Sequence, residues 1–213
     1  MYATTKALVD DILPYYDNTD ADNVPDATVR QAKVMAFVNR VRDELWWWRD
    51  HRWTYTSSTV TMSSGEATFP TSFAQMGSFG GLFSQGSGIP WVEVNWQEMQ
   101  TLRKRGMRTQ SKLYAIGTTI QIPNTSSSET LDIVYRLAPT TLTYGQGIAF
   151  TPMPSHFIRA LLLGTVARLK EEEGDTRDIW REDYLRAVSD AFKVERETSS
   201  RAFQMPQAVG GMW

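Results

Sequence analysis

Two histidines are the residues whose chemistry could most readily support catalysis. His51 lies near the predicted end of one helix, and His156 lies in the predicted first turn of another. A serine–histidine–acid triad would have to use one of these side chains. A structural role is favoured for His51, because a cation at a helix C-terminus is stabilised by the helix dipole. His156 lies at the predicted start of a helix, and no neighbouring residue indicates a catalytic role for it.

A cluster of acids near residue 172 is the second candidate for chemistry. It consists of Glu171, Glu172, Glu173 and Asp175. Glycoside hydrolysis needs two carboxyl groups that face one cleft, so a hydrolase stays open as an interpretation. Like charges at a predicted helix end are more simply a solvated terminus, and we favour that interpretation.

The composition limits metal and cofactor chemistry. The chain has no cysteine and only two histidines, which excludes thiolate metal sites and leaves too few ligands for an imidazole cluster. The acidic stretch 17–26 lacks the spacing of a calcium-binding loop. The sequence also contains no glycine-rich phosphate loop and no nucleophile elbow. We therefore predict a protein that is not an enzyme, with no catalytic residue, no cofactor and no metal site.

One basic segment could bind an acidic partner. It contains Arg103, Lys104, Arg105, Arg108 and Lys112. Such a segment can contact DNA phosphates, bind an acidic protein surface, or simply be solvated. The net charge of −2 and the pI of about 5.7 argue against a dedicated nucleic-acid-binding protein.

The aromatic content suggests surface that is buried against partners. The chain has eight Trp, eight Tyr and nine Phe, and large aromatics dominate both cores and interfaces. Two apolar segments, 74–88 and 200–213, have no obvious place in a core. The segment 74–88 is either an irregular core loop or a contact with a neighbouring subunit, and we favour the second; the tail 200–213 is predicted to dock onto another surface. Their candidate interface residues are Phe79, Leu82, Phe83, Phe203, Met205, Val209, Met212 and Trp213.

Helices are predicted at both ends of the chain. A short one covers 5–13, with Leu8 and Ile12 on one face, and a long one runs from about 26 to 49. The helical period returns after Pro154, in an almost wholly apolar helix that ends at Gly174 and in a last helix from about 175 to 198. The apolar stripe of the long helix contains Val34, Val38, Val41, Leu45 and Trp48.

The middle of the chain has the pattern of β-structure. Residues 53–62 and 67–69 predict one hairpin, and residues 116–122 with 131–135 predict a second. A short strand at 91–94 and a short helix at 95–105 lie between them.

These elements predict an α+β fold in which a β-rich module is inserted into a helical bundle. The bundle is assigned to 1–52 and 153–199, and the antiparallel, hairpin- or sandwich-like insertion to 53–152. The extended tail 200–213 is assigned to docking.

The order and spacing of several short motifs resemble a known protein family. They are AFVNRVRDE at 36–44, WWW at 46–48 with Trp53, VTMSSGE at 60–66, FPTSF at 69–73, YAIG at 114–117, IP at 122–123, LDIVYR at 131–136 and MPSHF at 153–157. Together they span most of the chain. The sequence resembles the head-to-tail adaptor, or connector, proteins of tailed bacteriophages, which include podovirus tail accessory factors.

The resemblance implies a structural protein of the virion neck. Such a protein forms a homo-oligomeric ring, usually of twelve copies, between the portal protein and a tail or nozzle protein. Genomic DNA passes through the ring without sequence-specific binding. The resemblance also implies synthesis in the bacterial host cytoplasm, and portal contacts for the C-terminal segment from 203 to 213.

Two alternatives stay open at the level of sequence. One is another structural component of a phage tail or baseplate, and the other is a cell-wall hydrolase that uses the acids near 172. A membrane partner is not expected, because no stretch approaches the roughly 18 apolar residues that a span requires.

Overall fold

The computed structural model describes residues 4–16, 27–106, 112–123, 128–146, 153–175 and 178–202. It is a mixed α+β structure, as the sequence predicts. The helices are α1 (Thr5–Ile12), α2 (Ala27–Trp48), α3 (Trp96–Lys104), α4 (Ile158–Glu172) and α5 (Ile179–Ala202). The strands are β1 (Tyr55–Thr61), β2 (Glu66–Ala67), β3 (Phe73–Gln75), β4 (Gly81–Ser84), β5 (Val92–Glu93), β6 (Leu113–Ile116), β7 (Ile120–Gln121) and β8 (Thr130–Leu137).

The chain divides into two units. A helical unit is formed from the described residues of Met1–Trp48 and Thr141–Trp213, and a β-rich unit from Arg49–Thr140. Residues of both terminal segments therefore contribute to the helical unit, while the β-rich unit is continuous in sequence.

Helix α4 is the central element of the helical unit, because it packs against both α2 and α5. The predicted stripe of α2 is fully buried at Val34, Val38, Val41 and Leu45. The prediction is wrong at the last turn of α2, where Trp46 is buried in place of Trp48. There Trp46 is 4% exposed and Trp48 is 45% exposed, with its ring edge-to-face on Tyr184 at 6.3 Å.

The three long helices meet at Gly164 of α4. A Cβ atom at this position would lie 2.6 Å from Val41 Cγ1 and 2.7 Å from Tyr184 Cε2. Both distances are shorter than a carbon–carbon contact allows. The missing side chain therefore lets α2 and α5 approach α4 closely, as in other tight helix crossings.

Polar contacts tie the returning chain to the N-terminal helices. The side-chain amide of Asn39 donates to Leu142 O at 3.0 Å and accepts from Leu142 N–H at 2.8 Å. The Thr5 N–H donates to Gln146 O at 2.9 Å, and its hydroxyl donates to Thr143 O at 2.8 Å. These bonds satisfy backbone groups that would otherwise need water.

Strand β8 is the central strand of the first sheet. All of β1 pairs antiparallel with one side of β8, and β3 and β4 pair antiparallel with the other side. Leu131 and Ile133 are fully buried and Tyr135 nearly so, which confirms the predicted alternation from 131 to 135, but Arg136 at the next position is buried as well.

The second sheet has the order β2-β7-β6-β5 and contains one parallel pair, β5 with β6. The apolar faces of the two sheets share one core. It includes Val60, Met62, Leu82, Tyr114, Ile120, Ile122, Leu131 and Ile133. This arrangement buries one face of each sheet against the other.

The pairing within the two predicted hairpins is wrong. Strands β1 and β2 belong to different sheets, and a single bridge, Ser63 with Glu66, joins the ends of the predicted first hairpin. Strand β7 pairs with β6 and β2, whereas β8 pairs with β1, β3 and β4. Alternation identifies a strand with one buried face, but it does not identify its neighbours.

The glycine at the helix crossing generates a stability prediction. We expect Gly164→Val to lower the free energy of unfolding by about 1–3 kcal/mol, because the added side chain overlaps Val41 and Tyr184. Chemical unfolding of the full chain measures the change. Adding Val41→Ala to this variant should restore part of the loss. Ser189→Val, on the exposed side of α5, is the control, and an equal loss in both single variants would contradict the close-approach explanation.

Candidate interaction surfaces

Phe79 is the predicted interface residue that the structure holds most clearly at the surface. Its ring is 44% exposed, yet it packs edge-to-face on Tyr55 at 5.5 Å and lies 5.3 Å from the Arg52 guanidinium. The preceding turn needs Gly77, whose φ is +66° and whose α-carbon faces the Tyr55 hydroxyl too closely for a side chain. The loop thus presents an aromatic ring in one orientation.

The Asp50 carboxylate fixes this loop. It accepts a hydrogen bond from Ser78 N–H at 2.6 Å and another from the Tyr55 hydroxyl. The same hydroxyl accepts from Phe79 N–H at 3.4 Å. The loop backbone is therefore anchored at two successive residues, and Phe79 is positioned before any partner arrives.

A buried guanidinium supports Asp50 from the sheet. Arg136 on β8 is 4% exposed, and its Nη1 lies 3.8 Å from Asp50 Oδ1. Arg136 also donates to Arg49 O at 2.7 Å and to Thr54 Oγ1 at 3.1 Å. Burial lowers the pKa of Arg136, and the Asp50 charge opposes that shift, so the guanidinium stays charged at neutral pH.

The pKa of Asp50 is lowered by its bonding partners. Burial alone would raise it, but the hydrogen bonds from Ser78 and Tyr55 and the charge of Arg136 act in the opposite direction and prevail. The folded structure therefore favours the ionised carboxylate.

The other two predicted interface residues of the segment 74–88, Leu82 and Phe83, differ in their exposure to solvent. Leu82 lies on β4, is fully buried and belongs to the shared core, so its side chain does not reach the surface. Phe83, the next residue, is half-buried on the outer face of the first sheet, opposite Asp132 of β8. The segment contains a paired strand that begins at Gly81, and its other glycines lie on either side of that strand.

The tail candidates lie outside the described residues. These are Phe203, Met205, Val209, Met212 and Trp213, and helix α5 is described as far as Ala202. Their role in docking stays a prediction.

The basic candidates divide into engaged and exposed side chains. Arg103 is held within the β-rich unit, where Nη1 donates to Glu66 Oε1 at 2.7 Å, and Lys112 donates to Ser84 Oγ. Lys104 and Arg105, at the C-terminal end of α3, are exposed. Arg108 lies outside the described residues. The structure thus leaves two adjacent cations of this group open to solvent.

The two histidines first considered for catalysis, His51 and His156, each lie beside an aromatic ring. His51 is 2% exposed and stacks on Trp53 with ring centres 4.9 Å apart. His156 is half-buried beside Phe157.

Three of the four acids near 172 form ion pairs, each with a different cation. Their ion pairs are Glu171 with Arg168 at 2.8 Å, Glu172 with Lys33 at 2.9 Å and Glu173 with Lys170 at 2.9 Å.

Across the part of the chain that the structure describes, no group of three or more His, Cys, Asp or Glu residues could hold a metal ion. Nor does any helix in that part have the length and apolarity to cross a membrane.

Sequence reasoning missed one aromatic surface. Trp47 and Trp48 at the end of α2 are each more than two-fifths exposed. The three consecutive tryptophans were the available signal, because a helix turns 100° per residue and cannot bury three adjacent side chains on one face.

A family sequence model matches the chain. The sequence model of the family described as SU10 adaptor protein matches residues 3–210, which is nearly the whole chain. The match confirms the predicted resemblance to phage head-to-tail adaptors. No curated protein matches the chain.

The Asp50 cluster generates a pH-dependent prediction. We expect Asp50→Asn to lower the free energy of unfolding by about 1–3 kcal/mol at neutral pH, because the charge that strengthens the hydrogen bonds from Ser78 and Tyr55 and attracts the buried Arg136 is lost. A carboxylate whose folded pKa is lowered stabilises the fold above its unfolded pKa of about 3.9, and this contribution disappears as pH falls through the folded value.

The measurement is chemical unfolding of both proteins at several pH values. The difference between wild type and variant should be constant above about pH 5 and shrink below about pH 4. Asp10→Asn, which removes an exposed pair with Lys6, is the control and should change stability by less than about 1 kcal/mol. A difference that does not depend on pH would contradict the role of the ionised carboxylate.

Proposed function

We propose that this chain, which belongs to the SU10 adaptor protein family, forms a ring that joins the head of a tailed bacteriophage to its tail. The family is one of structural phage adaptors, so the chain is a virion component. The single observation that carries the finer proposal is the family match over residues 3–210. The neck of the virion is the place that the proposal assigns to the ring.

The exposed aromatic side chains support the proposal that neighbouring subunits cover part of the surface of each subunit. Phe79 on the β-rich unit and Trp47 and Trp48 on the helical unit are large apolar side chains that are each more than two-fifths exposed. Exposed aromatics of this kind are enriched at protein–protein contacts. In a closed ring, of which twelve copies is the proposed number, each contact is repeated, so a modest affinity per contact suffices.

The proposed partners are the portal protein on one side of the ring and a tail or nozzle protein on the other. The C-terminal residues from Phe203 to Trp213 are proposed to contact the portal. DNA is proposed to pass through the ring without sequence-specific binding. The exposed Lys104 and Arg105 could meet phosphates, and contacts to phosphate carry no sequence information.

A mechanical role without catalysis follows from this proposal. The carboxylates of Glu171 and Glu173 form ion pairs with Arg168 and Lys170, which gives both acids a structural explanation. We therefore do not favour the hydrolase interpretation.

The proposal predicts the phenotype of particles that lack this protein. We expect filled or leaking heads without tails, seen by electron microscopy, because the portal would have no surface to receive the tail. In solution, light scattering should detect a complex of this protein with the portal ring. Normal tailed particles would contradict the adaptor role, and a tail defect without portal binding would favour another tail or baseplate component.

Phe79 should contribute to binding if its loop belongs to an interface. We expect Phe79→Ala to weaken self-association or partner binding about tenfold or more while stability changes little, because the ring is exposed and its loop is held by Asp50. Light scattering and calorimetry measure the affinity. Val92→Ala removes a more exposed side chain from the same unit and serves as the control. Equal effects of the two variants would exclude a specific role for Phe79.

A further inference from the structure

The outer edge of β1 is an open hydrogen-bonding surface. Met62 N–H donates to Glu129 O at 2.8 Å, and this bond fixes which residues of β1 face β8. The residues at even positions direct their N–H and C=O groups to β8. Ser57, Thr59 and Thr61 direct theirs away from it, and all three residues are exposed. Among the described strands, β8 is the only one that pairs with β1.

This edge lacks the features that normally prevent pairing with another chain. The sequence of β1 is YTSSTVT, with no charged residue and no proline. It pairs with β8 without a bulge over seven residues, so its outer side is a regular row of donors and acceptors. An edge of this kind is a template for uncontrolled association unless another strand covers it.

The other edges of the two sheets are shorter or already covered. Strands β2 and β5, the outer strands of the second sheet, contain two residues each, and β3 of the first sheet contains three. The outer side of β4 is covered, because Ser84 N–H donates to Ile89 O at 2.9 Å. Trp91 N–H also donates to Leu82 O there. Among the described strands, the edge of matching length that a second copy offers to β1 is therefore its own β1.

We infer that two copies of the free protein pair through the outer edges of their β1 strands, antiparallel and about a two-fold axis. A two-fold contact uses the same surface on both copies and closes at a dimer. The first sheets of the two copies then form one continuous sheet, and neither β1 keeps an open edge. A contact that repeats around a ring joins different surfaces of neighbouring copies, so the dimer is a state outside the proposed ring and does not rest on it.

The free main-chain groups set the register of the two strands. The N–H of Tyr55 already donates to Arg52 O, so the register should not require it. The register that uses both groups of Ser57, Thr59 and Thr61 places Thr59 on the two-fold axis, opposite its own equivalent. Ser57 then lies opposite the equivalent of Thr61. Each facing pair exchanges two bonds, which gives about six main-chain hydrogen bonds, and Ser and Thr side chains are favourable neighbours across such a pair.

A proline at the axis tests the contact. We expect Thr59→Pro to weaken self-association by at least about tenfold, because it removes an N–H that faces the second copy. This N–H points away from β8, so the pairing within the subunit is kept. Thr59→Val keeps the N–H and is the control, with a change of no more than about threefold. Sedimentation of the full chain over a range of concentrations measures association, and chemical unfolding checks that each variant is folded.

Two double variants test the register without a proline. Residues 57 and 61 face each other across the contact, whereas within one strand they lie about 13 Å apart. Ser57→Lys with Thr61→Lys places like charges opposite each other in two pairs and should weaken association about tenfold. Ser57→Lys with Thr61→Glu places opposite charges there and should stay within about threefold of the wild type. The neighbours of these positions on β8, Val134 and Thr130, are uncharged, so both variants should fold alike.

Hydrogen exchange locates the contact. The amides of Ser57, Thr59 and Thr61 should gain protection as the concentration of the wild type rises, but not in Thr59→Pro. Wild-type protein that stays monomeric up to a concentration on the order of 1 mM would overturn the inferred dimer.

Three further results would also contradict the inferred contact. Protection that does not depend on concentration would mean that the same chain covers the edge. Association that is unchanged in Thr59→Pro would place the contact on another surface. Equal association of the two double variants would exclude the register centred on Thr59.

Discussion

The backbone of β8 must be paired along both sides, and the β-rich unit depends on this constraint. A central strand buried on one face leaves its N–H and C=O groups no access to water, so each must find a partner in the sheet. β1 supplies one side, and β3 and β4 supply the other. The partners come from segments between 47 and 81 residues earlier in the chain, as the pairs Ser84 with Leu131 and Tyr55 with Arg136 show. Arg136 adds a charged anchor at the end of the same strand, where it binds Arg49 O and lies near Asp50.

The elements that could be predicted from the sequence are those whose signal is local. The 4-3-4 spacing of Val34, Val38, Val41 and Leu45 describes one helix face, and that face is buried. The alternation from Leu131 to Tyr135 describes one strand face in the same way. Trp48 departs from its stripe because the last turn of a helix can extend beyond the surface that buries the rest.

What could not be predicted depends on residues that are distant in sequence. The pairing of β8 is non-local, so alternation could not choose between neighbouring and remote partners. Leu82 lies in a glycine-rich segment and resembles an exposed residue until its pairing with Ile133 is known. The surroundings of the surface residues also depend on residues that are distant in sequence. The charge of Arg103 is neutralised by Glu66. The loop that carries Phe79 is held by Asp50, which lies 28 positions before Ser78.

The division of the helical unit between two terminal segments has a consequence for synthesis. Asn39 bonds to Leu142 and Thr5 to Thr143, contacts separated by 103 and 138 residues. At a translation rate of about 5–20 residues per second, the first helices wait several seconds or more for these partners. The continuous β-rich unit leaves the ribosome complete in the meantime. The inserted unit can therefore fold before its host, and α1 and α2 must stay available, with their apolar faces uncovered, until the chain returns.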